Sequence, residues 1–89
     1  MKTITMDCTV GIYDNCEYVA RIYTDRVVVT SPYVKWVGNS GGYAERKERI
    51  TDADVLASVR AALADAAEDS AWGAIGRAID DPFLAHAGH

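Results

Sequence analysis

Few side chains in this sequence have the types and spacing that chemistry needs. His86 and His89 are the only histidines and lie three residues apart near the end of the chain. No cysteine or carboxylate cluster at ligand spacing accompanies them, so they read as a solvated terminus rather than a metal pair. Cys8 and Cys16 are candidate nucleophiles only if positive charge lowers a thiol pKa. Cys8 falls mid-strand on an apolar face, where burial has the opposite effect, and Cys16 has no basic group at activating spacing. The carboxylate pairs Asp52/Asp54, Glu68/Asp69 and Asp80/Asp81 would need one buried member to act as an acid. They lie at expected helix ends, where acids serve as caps and dipole partners. Gly73-Ala74-Ile75-Gly76 has the spacing of a nucleic-acid clamp, but its interior is apolar and carries no cation. Close helix packing explains it better. The glycine-rich loop over residues 38–42 lacks the Lys-Ser/Thr of a phosphate cradle. The expectation is no catalytic residue, no cofactor and no metal.

Two surface groups remain. Tyr33, Lys35, Trp36, Tyr43, Arg46 and Arg49 cluster around the glycine-rich loop. Aromatic rings with arginine make interaction hot spots, and also platforms for single-stranded nucleic acid. The second group is acidic: Asp52, Asp54, Asp65, Glu68, Asp69, Asp80 and Asp81. Residues 51–89 set these seven acids against two arginines, whereas residues 1–50 balance seven Lys/Arg against six Asp/Glu. The net charge is −4 and the pI about 4.9. Phosphates repel such a chain, which makes direct nucleic-acid binding a poor fit. A basic protein surface suits it better.

The elements that position these groups follow from periodicity. Ile4, Met6, Cys8, Val10 and Ile12 alternate with polar residues, and Cys16, Tyr18, Ala20 and Ile22 do so again. That predicts a half-buried β-hairpin. Keeping both apolar sets on one face puts Ile12 opposite Cys16 across a Tyr13-Asp14-Asn15 loop. Cys8 then faces Ala20, which excludes a disulfide between the two cysteines, and Tyr13, Arg21 and Tyr23 point away from the core. A third strand is expected over 26–30 and interrupted or edged by Pro32. Residues 33–37 suit a further strand, and 43–50 a charged edge strand. A helix begins at Thr51 with a capping-box-like Thr51-Asp52-Ala53-Asp54 and an Ile50/Val55 staple. Val55, Leu56, Val59, Ala62, Leu63 and Ala66 form its apolar stripe. A second helix starts at Asp69 or Ser70, carries Trp72, Ile75 and Ile79 inward, and ends at Asp80-Asp81-Pro82. The sum is one α+β domain over residues 1–84. Its antiparallel sheet has three to five strands, packed on one face by two C-terminal helices, and residues 85–89 form a tail.

Of the 89 residues, 49% are hydrophobic and 25% charged, which is ordinary globular composition. No stretch has signal-peptide or membrane-span character, so the expected location is the cytoplasm, and the host's cytoplasm if the chain is phage-encoded. Size, acidity and the lack of a catalytic set give the chain the character of the small phage and mobile-element inhibitors, and in that respect it resembles anti-CRISPR proteins. That resemblance is one of general character, since those proteins share no signature motif. It implies a non-catalytic inhibitor presenting its acidic helical face to a basic, nucleic-acid-handling protein such as a CRISPR effector complex. The alternative is an interaction module that uses the 33–49 hairpin to bind a peptide, a subunit or single-stranded nucleic acid. A homodimer paired through an exposed strand edge is the third reading.

Overall fold

The computed structural model describes residues 1–86. Four strands, β1 (Lys2–Val10), β2 (Tyr13–Ile22), β3 (Val27–Val37) and β4 (Ser40–Ile50), precede three helices, α1 (Ala53–Ala64), α2 (Glu68–Ala78) and α3 (Pro82–His86). The strands lie in chain order in one sheet. Their connections are too short for a parallel crossover, so the sheet is an antiparallel meander. The class is α+β, as the alternation followed by helical periodicity predicts. The chain divides into two compact units. One is the sheet, Met1–Thr24 with Val28–Arg49; the other joins Asp25–Val27 to Ile50 and the helices.

In the sheet, the alternation of β1 and β2 is realised: Ile4, Cys16, Tyr18, Ala20 and Ile22 are buried, while Thr3, Thr5, Asp7, Thr9, Glu17 and Arg21 are exposed. The register differs from the expected one. Ile4 lies opposite Ala20, Met6 opposite Tyr18, Cys8 opposite Cys16, and Val10 opposite Tyr13. The three-residue loop is absent, and the turn is Gly11-Ile12. Gly11 has φ 59°, the left-handed conformation that a two-residue hairpin with glycine in its first position demands. Between Val10 and Cys8, Thr9 alone opposes both Asp14 and Asn15, which makes a β-bulge. The extra residue restores the even-numbered face of β2 beside that of β1. Both cysteines are thiols, but the separation that was to keep them apart does not exist.

β3 runs unbroken through Pro32, which therefore sits in an inner strand rather than ending one. Val29, Thr30, Ser31 and Pro32 are buried in succession, so both faces of the strand are covered there. A second glycine-led turn, Gly38-Asn39, joins β3 to β4, with Gly38 at φ 60°. β4 is an edge strand whose Glu45, Arg46 and Lys47 are exposed, the charged edge that discourages strand addition.

In the helical unit, the N-cap of α1 is Asp52, one residue later than expected. Its Oδ1 accepts from the backbone N–H of Asp54 at 2.9 Å and of Val55 at 3.2 Å. Asp52→Ala should lower stability by about 1 kcal/mol in urea denaturation, with Thr51→Ala near neutral. Leu56 and Val59 are the buried members of the α1 stripe, and Val55, Ala62 and Leu63 are half-buried. Ala66 is not in the stripe. It lies beyond the helix at φ 56° and donates to the Leu63 carbonyl, while Ala67 donates to that of Ala62, which ends α1 in a Schellman turn.

α2 buries residues 71–76 without interruption, Trp72 and Ile75 among them. It packs against α1 and α3. Asp81 Oδ1 accepts from Phe83 N–H at 3.0 Å and Leu84 N–H at 3.3 Å and so caps α3. Ala85 and His86, placed in the tail by sequence, are the last residues of α3. His89 lies outside the described residues.

Candidate functional site

The aromatic group assembles at the turn end of the sheet. In a four-strand meander the β1–β2 and β3–β4 turns fall at the same end. Val34 Cγ2 approaches Gly11 so closely that a Cβ built there would lie 2.9 Å away. The rings of Tyr13 and Tyr43 meet edge to face, with centroids 5.7 Å apart and an interplanar angle of 69°. Tyr13 is therefore not on an outward face apart from the others, because the bulge at Asp14-Asn15 changes the direction in which the strand leads to it.

The neighbouring Trp36 is held by an absence. A Cβ on Gly41 would stand 3.0 and 3.1 Å from two indole carbons and 3.1 Å from Val34 Cγ1. Glycine at that point lets the indole lie across β4. Yet the indole stays 68% exposed, with Tyr43 on the same face at 45% and Ile12 in the β1–β2 turn at 91%; Val37, next to Trp36 in the strand, is 71% exposed on the other face. Ile12, read from sequence as the last core residue of β1, is thus the most exposed large apolar side chain of the sheet. Scattered apolar residues on a surface need no explanation; three of them gathered at one end of a sheet do.

The cations belong to the other face: Lys35 is next to Trp36 in β3 and Arg46 is three residues from Tyr43 in β4, so alternation turns both away from these rings. Lys35 lines a shallow surface hollow with Val37, Ser40 and Tyr43. The Arg46 guanidinium lies over the Tyr33 ring, 4.9 Å from its centroid, a cation–π contact that orders both. Arg49 is not brought in: six residues beyond Tyr43 on an extended strand, it is about 20 Å away. Partial burial of the Tyr43 hydroxyl, followed by the Glu45 carboxylate, holds its phenol above the usual range. It therefore meets a partner as a neutral donor.

Several of the acidic residues have local structural roles. Asp52 and Asp81 are engaged as caps. Glu68 and Asp69 sit in the first turn of α2, where the dipole favours them. Asp54 shares a hollow with Arg77, and the same arginine lines a second hollow with Asp80 and Asp81. The cation offsets the acids on both sides. Asp65, the C-cap of α1, stands against its helix dipole with no basic residue in the last turn.

No family model, curated protein or solved structure matches the chain. Among the described residues, no group of three or more His, Cys, Asp or Glu is placed to hold a metal ion. Among the described residues, no helix is long and apolar enough to cross a membrane. Ile12 and Tyr13 are the members of the site that sequence reasoning missed. The signal for both was the Gly11-Ile12 pair, a glycine-led hairpin turn embedded in an otherwise regular alternation.

Proposed function

We propose that the chain is a non-catalytic binding protein that engages another protein through the turn end of its sheet. The observation that carries this reading is the exposure of Ile12 in the β1–β2 turn and of Trp36 and Tyr43, which share one face of the strands flanking the β3–β4 turn. Exposing so much apolar area costs solubility, and a partner that covers it recovers the transfer free energy, about 25 cal/mol per Å². Tyr and Trp are among the residues that dominate measured binding energies. The complementary partner surface is an apolar recess, since Lys35 and Arg46 project from the opposite face of the strands. The net charge of −4 favours a protein over a nucleic acid as the partner.

The acidic stretch is a second candidate, and Asp65 is what speaks for it. Under that reading, the partner is a basic protein of the kind an anti-CRISPR-like inhibitor meets. The two readings part under substitution. A protein retained by the wild-type chain should be lost, with affinity reduced 100-fold or more, on combining Ile12→Ser and Trp36→Ala. It should be retained by the Asp65→Lys, Glu68→Lys pair. The reverse pattern would transfer the function to the acidic residues. Circular dichroism of both variants confirms that the fold is intact.

A further inference from the structure

The bulge that moves the hairpin register also places two sulfurs face to face. Cys8 on β1 and Cys16 on β2 are directly opposed partners in an antiparallel ladder. Such partners have Cα atoms about 4.5–5.5 Å apart, inside the range that a disulfide spans. Their Cβ atoms are about 4.5–5.5 Å apart, and a disulfide closes at about 3.5–4.5 Å. A small local approach, with no rearrangement of the sheet, is all that separates two thiols from a bond. The pair is also unequally accessible: Cys8 is half-buried, whereas Cys16 is only 6% exposed. The Cys16 S–H donates to the Tyr13 carbonyl at 3.6 Å, and that carbonyl leads directly into the bulge.

We propose that Cys8 and Cys16 form a redox-modification site, in which hydrogen peroxide converts the thiol pair into a cross-strand disulfide. The more accessible Cys8, as its thiolate, attacks one peroxide oxygen. The O–O bond breaks, Cys8 becomes a sulfenic acid, and the leaving hydroxide takes up a proton as water. The Cys16 sulfur then attacks the Cys8 sulfur. The S–S bond forms, the S–O bond breaks, and the departing hydroxide leaves as a second water with the Cys16 proton. One peroxide accepts two electrons and two thiols lose two hydrogens. Oxidation removes the S–H that donates to the Tyr13 carbonyl, so the change is felt at the backbone holding the Tyr13 ring against Tyr43. The inference does not rest on the binding function proposed above.

The test uses the full, purified chain treated with near-stoichiometric hydrogen peroxide and then with an alkylating agent under denaturing conditions. The expected product is a monomer lighter by two hydrogens and unlabelled at both cysteines, fully restored by dithiothreitol. Cleavage before aspartate should release residues 7–13 joined to residues 14–24. Cys16→Ser should instead accumulate a sulfenic acid on Cys8, trapped by dimedone, or form disulfide-linked dimers. Full alkylation of both wild-type cysteines after oxidation would overturn the proposal. So would a wild-type product consisting of intermolecular dimers or of oxygen added to one cysteine alone. The wild-type readouts stand even if a variant fails to fold.

Discussion

Trp72→Ala should remove a large part of the stability of this chain. Trp72 is 1% exposed and the largest fully buried side chain, set within the uninterrupted buried run of α2. Deleting an aromatic side chain from a core costs about 3–5 kcal/mol through lost transfer energy and the cavity left behind. A domain of this length has about 4–13 kcal/mol in all, from about 0.05–0.15 kcal/mol per residue. The variant is expected to unfold at markedly lower urea concentration, or to be unfolded without denaturant. Far-ultraviolet circular dichroism is the right probe, because the tryptophan that remains, Trp36, is already largely solvated when folded. Trp72→Phe should recover more than half of the loss. A midpoint for Trp72→Ala within experimental error of the wild type would mean that α2 does not carry the core of its unit.

Gly76→Ala is the second large effect, and its sign runs against helix propensity. In an exposed helix interior, this change gains up to about 1 kcal/mol. Here a Cβ would overlap the backbone nitrogen of Ala85, and it would stand 2.5 Å from Leu84 C and 2.6 Å from Leu84 Cβ. Backbone cannot swing aside as a flexible side chain can, so α3 must shift bodily and withdraw Leu84, which is fully buried. Overpacking of this kind costs about 1–3 kcal/mol, and with backbone as the obstacle the upper part of that range applies. The expected fall in Tm is about 10 °C or more, at about 4–8 °C per kcal/mol for a chain of this size. A Tm equal to or above the wild type would show that α3 does not dock at Gly76.

The glycine spacing within α2 made this close packing legible from sequence, although the element docked there was not. Residues 82–86 are too few to carry a periodic signal, and only Asp81 as a cap and Leu84 as an anchor define α3. The alternation in β1 and β2 was equally plain. Its register was not, because Ile12 prolongs the apolar rhythm by one beat into a turn, and because a bulge inserts a residue that periodicity does not reveal. Pro32 misled because its missing N–H argues for an edge or an interruption, yet β3 runs through it as an inner strand. The candidate site was half visible. Trp36 and Tyr43 stood out by composition, but so did Tyr33, Lys35 and Arg46, which alternation carries to the other face. Ile12 did not stand out, since the identity of an apolar residue says nothing of which side of the surface it occupies. Arg49 was grouped by proximity in sequence, which an extended strand converts into distance.

The claim that the hairpin turns are the working surface is most directly tested by position-specific cross-linking. A photoreactive phenylalanine analogue would be placed singly at positions 12, 36 and 43 of the full chain, and at positions 54, 65 and 68, in the native host. The structural account predicts one and the same protein cross-linked from 12, 36 and 43 and absent from 54, 65 and 68. Cross-links to one protein from the three acidic positions, with none from the turns, would contradict it.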